Sequence, residues 1–211
     1  STDKAVNPTN AMGSSKLMAE RLMASAHSVR GPSQTTFVST RFGNVAGTRG
    51  SVIPKFIDQI KLAKLITITD PRMTRFLMTM DRALQLIIDA ACFGNDGEIY
   101  VPNLPVCRIE DIALAIQEIL QSQKKLKTKI IGLYPGEKLH EELVTREESE
   151  RMRVFEDTFI IPAAIKVLPI KKLIGTKPDT LIHYSSDAFP ALSIDELKRF
   201  LIDSRIISVG D

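Results

Sequence analysis

The stretch STDKAVNPTNAMGSSK, residues 1–16, decides how this chain is read. It opens with Asp3 and Lys4, a carboxylate next to an amine. Asn7-Pro8-Thr9-Asn10 follows as a turn and helix-entry signal: proline fixes its own backbone, and a short polar side chain can bond the free amides at a helix start. From Thr9 to His27 the residues are mostly Met, Ala, Lys, Leu and Glu, which favour helix. Asp3 and Lys4 therefore stand where a strand gives way to a helix, and parallel α/β sheets build their sites at that edge. A proton donor and acceptor side by side suit general acid–base chemistry, although such a pair read alone is more often surface decoration. Lys16 lies one helical turn after Met12, so the two share a face.

Outward from this segment, strands and helices alternate. Gly31-Pro32-Ser33 breaks the chain, Thr35 to Arg41 is β-prone, and Phe42 to Gly50 reads as a glycine-bearing loop. Val52, Ile53, Phe56, Ile57 and Ile60 recur at helical spacing, and Leu65 to Thr69 predicts a strand. Met80, Leu84, Ile87, Ile88 and Ala91 predict the apolar face of another helix. Asn95-Asp96-Gly97 is a turn, Glu98 to Val101 a strand, and Ile109, Ile112, Ile116, Ile119 and Leu120 mark a helix. Lys129 to Leu133 reads as a strand and Leu139 to Val144 as a short helix. Thr145–Glu148 and Ser193–Glu196 fit capping boxes, the second opening a final helix with Ile194, Leu197 and Leu201 inward. Residues 154–190 show no regular period. The order predicts an α/β fold.

The chain has 211 residues, 44% hydrophobic and 25% charged, with a net charge of +3, as ordinary globular proteins do. Charges are interleaved, and short clusters such as Lys124-Lys125-Leu126-Lys127 read as solvated surface, so no nucleic-acid partner is expected. Cys92 and Cys107 lack metal-ligand spacing and are expected to be buried, reduced thiols of a cytoplasmic protein. His27, His140 and His183 are scattered, which gives a metal site little support. No apolar run reaches membrane-spanning length, so no membrane segment is expected in this chain. No G-x-G-x-x-G follows a strand, whereas a complete dinucleotide-binding domain opens with such a loop. The expectation is a chain that begins within a domain.

Four runs carry a family resemblance: STDKAVNPTNAMGSSK, TRFGNVAGTRGSVIPKF, ITITDPRMTRFLMTMDRA and GLYPGEKLHEELVT. In that order, from Ser1 to Thr145, they resemble extended short-chain dehydrogenases/reductases, in the branch of nucleotide-sugar 4,6-dehydratases, and are most similar to those acting on UDP-N-acetylglucosamine. The resemblance implies the C-terminal portion of a Rossmann-like enzyme with a small mixed substrate lobe. Residues 1–45 would supply late strands and a helix of the large domain. Residues 46–211 would form mainly the lobe, with some segments returning.

The implied reaction oxidises the sugar at C4, which makes the C5 proton acidic, expels water from C6 and returns the hydride there. NADP or NAD would be bound mainly by an N-terminal half absent from this chain. By position, Asp3 would protonate the departing hydroxyl and Lys4 would be the base near C5. Lys16 would hold the cofactor ribose, with Phe42 near the nicotinamide. Asn44, Arg49, Ser51 and Arg75 would face the sugar or its diphosphate, and Glu137 a ribose hydroxyl. Without the resemblance, Asn44 is equally a turn cap, Arg49 and Arg75 are solvated charges, and Glu137 is a surface group.

Met12 stands where most of the superfamily has tyrosine, and a thioether cannot accept the C4 hydroxyl proton. Asp3, Lys4 or a water must then relay it. The resemblance further implies a UDP-sugar substrate, a cytoplasmic location, and a homo-oligomer or completion by an N-terminal chain. Inversion at C5 is left open. Two other readings stand beside it: a nucleotide-sugar-binding fragment or subunit without catalysis, and an epimerase or decarboxylase of the same fold.

Overall fold

The computed structural model describes residues 1–29, 31–121, 127–164 and 173–208. Lys124, Lys125 and Leu126 of the basic cluster, and part of the stretch 154–190, lie outside the described residues. The strands are β1 (Ser39–Thr40), β2 (Asn44–Val45), β3 (Ile66–Ile68), β4 (Thr74–Met78), β5 (Ile99–Pro102), β6 (Val106–Arg108), β7 (Thr128–Ile130), β8 (Glu142–Val144), β9 (Arg153–Phe155), β10 (Thr158–Ile161) and β11 (Tyr184–Ser185). The α-helices are α1 (Ala11–Ser25), α2 (Val52–Lys61), α3 (Met80–Phe93), α4 (Ile109–Ile119), α5 (Arg146–Ser149) and α6 (Ile194–Asp203).

One sheet runs β1-β5-β10-β9, with β1 parallel to β5 and the remaining pairs antiparallel. Thr2 extends it through a parallel bridge to Phe42. A second sheet runs β2-β4-β6, with β2 parallel and β6 antiparallel to β4. β3 and β7 pair in parallel, and β8 and β11 pair antiparallel. The expected mixed α/β architecture is present.

Two main cores hold these layers. The first joins Ile53 and Phe56 of α2, Ile66 and Ile68 of β3, Ile112 and Ile116 of α4, and Leu197 and Leu201 of α6. Burying each such side chain contributes roughly 1.5–3 kcal/mol relative to exposure. The second joins Phe76 and Met78 of β4, Val101 of β5, Leu143 and Val144 of β8, and Phe159 of β10 around Tyr184. The Tyr184 hydroxyl reaches the Leu104 amide at 2.6 Å, which satisfies a buried polar group. Both expected capping boxes form, at Thr145–Glu148 and Ser193–Glu196.

Several local expectations are corrected. Leu139 to Val144 is not a helix; Glu142–Val144 pairs with Tyr184–Ser185, so tertiary strand pairing overrides the helix preference of Leu and Glu. The strand expected over Thr35 to Arg41 shrinks to Ser39–Thr40, and the loop after it yields β2. On α3 the inward residues are Ala83, Leu86 and Ala90, while Met80, Leu84, Ile87, Ile88 and Ala91 are exposed. Ala83, Leu86 and Ala90 form the face of this helix turned to the core, so the larger apolar stripe lies outward. Cys107 is buried as expected, but Cys92 is exposed, two residues past inward-facing Ala90 and so on the helix's outer side.

Candidate active site

Asp3 and Lys4 sit in a single 3-10 turn, Asp3–Ala5, immediately after the Thr2–Phe42 bridge. The Asp3 amide donates to the Phe42 carbonyl at 3.1 Å, which pins the turn to the end of the first sheet. Asp3 is 1% exposed. Its Oδ1 accepts from the Thr2 hydroxyl at 2.5 Å and from Lys4 Nζ at 3.1 Å, while Oδ2 is buried without a hydrogen-bond partner. Helix α1 follows, capped by Asn10 Oδ1, which accepts from the Gly13 amide at 2.9 Å.

Buried charge fixes α1 in place. Arg41, following β1, donates from Nη2 to Glu20 Oε2 and to Glu148 Oε1, each at 2.8 Å, and from Nη1 to the Leu143 carbonyl at 2.9 Å. All three charged side chains are buried. Burial alone would push the Glu148 carboxyl up, but the Arg41 hydrogen bonds and charge outweigh it and hold that carboxyl below its ordinary range. One guanidinium thus ties α1, β8 and α5 to the sheet.

The opposite wall is the loop Tyr134–Lys138. The Glu137 amide donates to the Tyr134 carbonyl at 3.0 Å, closing a turn with Pro135 and Gly136 at its centre. Gly136 takes φ 78°, which this turn needs and glycine permits. Thr9 Oγ1 and Asn10 Nδ2 donate to the Gly136 carbonyl at 2.6 and 3.1 Å, and Lys138 Nζ donates to the Val6 carbonyl at 2.5 Å. Arg75 of β4 donates to the Thr74, Leu139 and Lys138 carbonyls at 2.7, 3.0 and 3.0 Å. Its guanidinium also lies 3.7 Å from Glu137 and 3.6 Å from Glu141.

Two clefts adjoin between these walls. The first, about 350 Å³, is lined by Asn44, Ser51, Lys55, Arg75, Tyr134 and Glu137 among others. The second, about 310 Å³, is lined by Lys4, Asn44, Arg75, Glu137, Lys138 and Glu141 among others. Asn44, Arg75 and Glu137 border both. Ser51 is the N-cap of α2, and its hydroxyl is buried without a hydrogen-bond partner. A polar hydroxyl at a helix N-terminus, inside a cleft, suits an anion.

Among the residues singled out from sequence, Lys4, Asn44, Ser51, Arg75 and Glu137 line these clefts, and Asp3 lies buried against Lys4. Met12 is 54% exposed and Lys16 is exposed, both on α1. Arg49 is exposed in the turn before α2, and Phe42 is half-buried against the cores. Sequence reading passed over Glu141 and Glu20 and gave Glu148 only its capping role, because buried carboxylates leave no periodic signature. The available signal was local: Glu20 follows Lys16 by one helical turn, and Glu141 continues the PGEKLH run. Burial pushes the Glu141 carboxyl up, and the charge of Asp3 adds to it; Arg75, Lys4 and Lys138 oppose.

A family profile described as "Polysaccharide biosynthesis protein" matches residues 1–163. The chain belongs to this family. As a polysaccharide biosynthesis family member it is 40% identical over 205 residues to a protein of Rickettsia conorii named UDP-glucose 4-epimerase, covering 96% of this chain and 60% of that relative. The X-ray structure of Pen from Bacillus thuringiensis matches with a TM-score of 0.88 and 39% identity, over 99% of this chain and 61% of that one. A dTDP-glucose 4,6-dehydratase from Bacillus anthracis, solved with NAD, matches with a TM-score of 0.54 and 18% identity over 61% of this chain and 42% of that one, a likeness of fold. The family member described here thus spans about three-fifths of the length of the Rickettsia relative. Among the described residues no helix is long and apolar enough to cross a membrane.

Proposed function

We propose that the whole protein is a nucleotide-sugar 4,6-dehydratase acting on UDP-N-acetylglucosamine, with Asp3 as general acid at C6 and Lys4 as base at C5. The observation that carries this reading is the Asp3–Lys4 pair, bonded at 3.1 Å, with Lys4 lining a cleft whose other wall is Arg75 and Glu137. An acid and a base fixed in one backbone turn act on neighbouring carbons with little further ordering. The adjoining cleft supports a diphosphate: the Ser51 hydroxyl lacks a partner, and the Val52 and Ile53 amides open α2 beside Lys55. Glu137 at the junction of the clefts suits a ribose hydroxyl.

The residues present fit one end of a nicotinamide cofactor. Lys16 is exposed on the helix that follows the Asp3–Lys4 turn, and Phe42 is hydrogen-bonded through its carbonyl to the Asp3 amide. NADP or NAD, when bound, supplies hydride exchange at the sugar, which makes a net-neutral dehydration accessible. Lys16 would hold its ribose, and Phe42 would flank its ring. Met12 carries no proton acceptor, so the C4 hydroxyl proton leaves by another group or by water.

The name carried by the Rickettsia relative favours a second reading, C4 epimerisation of a UDP-sugar. Proton NMR separates the two. The whole protein, given UDP-N-acetylglucosamine and NADP, should yield a 4-keto-6-deoxy sugar. A C4 epimer with its C6 hydroxyl retained would favour the epimerase, and a well-folded protein that yields neither would reject both.

A further inference from the structure

Glu141 precedes β8 and is 5% exposed. Its Oε1 lies 3.6 Å from Arg75 Nε, and its Oε2 is buried with no hydrogen-bond partner. Asp3 Oδ2 is in the same condition. Glu141 lines the same cleft as Lys4, which is bonded to Asp3 at 3.1 Å, and two neighbouring carboxyls, each with an orphaned buried oxygen, incur a large desolvation cost if both are ionised. Asp3 Oδ1 already takes donors from Thr2 and Lys4, an arrangement suited to a carboxylate. Glu141 has only the long Arg75 contact. The charged groups facing it are Asp3 and Lys4 from the first turn, Arg75 from β4 and Lys138 from its own loop. Burial and the Asp3 charge together outweigh the three basic groups and push its carboxyl up.

We propose that Glu141 is a positioning residue for Asp3: the two carboxyls hold one proton between them, resting on Glu141 and relayed through Asp3 to the leaving oxygen. This rests on the dehydratase reading and supplies the acid it needs. The Glu141 O–H bond breaks as an Asp3 O–H bond forms. That proton then passes to the C6 oxygen, which departs as water with the electron pair of the C6–O bond. The C5–H electrons form the C5–C6 double bond as Lys4, entering the step as the neutral amine, takes the C5 proton. The negative charge left on Glu141 faces Arg75 until a solvent proton restores it.

Two measurements on the whole protein test this. Infrared spectroscopy at pH 7, with carbon-13-labelled glutamate and with Glu98→Gln to remove the other buried glutamate whose carboxyl burial pushes up, should show a protonated-carboxyl stretch that moves with the label and disappears when Glu141→Gln is added. Kinetically, Glu141→Gln should lose about 100-fold in kcat, the scale of general acid catalysis, and shift the acid limb of the pH profile. KM should change less than kcat, because Arg75 keeps its bonds to the Thr74, Leu139 and Lys138 carbonyls when Glu141 is replaced. A purely structural glutamate would not move the pH limb. No protonated glutamate in the Glu98→Gln protein, its persistence when Glu141→Gln is added, or undiminished kcat in Glu141→Gln would overturn the proposal. Should Glu141→Gln fail to fold, the labelled Glu98→Gln protein decides alone. The infrared band is read without sugar, so it stands or falls separately from the dehydratase reading.

Discussion

A Cβ on Gly13 would lie 2.4 Å from the Lys4 carbonyl oxygen and 2.9 Å from Pro8 Cβ. Helix α1 therefore rests directly on the turn that carries the acid and the base, and only a residue without a side chain permits that approach. Gly13→Ala should displace the turn. We expect it to cost about 1–3 kcal/mol, read by chemical denaturation, and to reduce turnover more than nucleotide affinity. Unchanged stability and turnover would show that the contact is not tight.

Arg41→Met leaves Glu20 and Glu148 buried without their cation. Removing one partner of a buried ion network costs about 3–5 kcal/mol, and we expect a loss of that size in urea unfolding. The network also sets an acid limit. The Glu148 carboxyl is held below its ordinary value in the folded state, so its stabilisation is full above the unfolded pKa and fades as pH falls through the folded one. Unfolding midpoints should drop below about pH 4, the ordinary glutamate range. The drop should be smaller in Arg41→Met.

Long, periodic helices were legible from sequence: α2, α4 and α6 stand where apolar residues recur at helical spacing. Among the fully buried strands, β5 was read from its β-branched residues after the Asn95-Asp96-Gly97 turn, whereas β4 was not. Thr74–Met78 is buried at every position between two neighbouring strands, so it shows no alternation to read. Glu142–Val144 looks helical in isolation and is a strand only because Tyr184–Ser185, about forty residues later, pairs with it. At the site, the runs with unusual chemistry, Asp3-Lys4 and Pro135-Gly136-Glu137-Lys138, could be seen in the sequence. The carboxylate of Glu141 could not, because its significance comes from Asp3 and Arg75 folding against it.

The two thiols should separate cleanly in a labelling experiment. Cys92 is exposed and should react with a thiol reagent in the folded protein. Burial pushes the Cys107 thiol up to about 12, so it should react only after denaturation. Native mass spectrometry should show one adduct, and two in guanidinium. Two adducts under native conditions would contradict the placement of Cys107.

Ser51→Ala removes the unpartnered hydroxyl at the start of α2. A hydrogen bond to a charged group contributes about 1.5–3 kcal/mol, so UDP should bind the variant roughly ten- to a hundredfold more weakly by calorimetry. Stability should change little, because the hydroxyl caps no amide of its helix. Equal UDP affinity would place the diphosphate elsewhere.

The most direct test of the acid–base pair is a turnover in heavy water. The whole protein, with UDP-N-acetylglucosamine and NADP in D2O, should give a 4-keto-6-deoxy sugar carrying deuterium at C5. Lys4→Ala should give none of it, and Asp3→Asn should leave the C6 hydroxyl in place. A product whose C5 proton is retained, or full turnover in Lys4→Ala, would contradict the roles assigned to the pair.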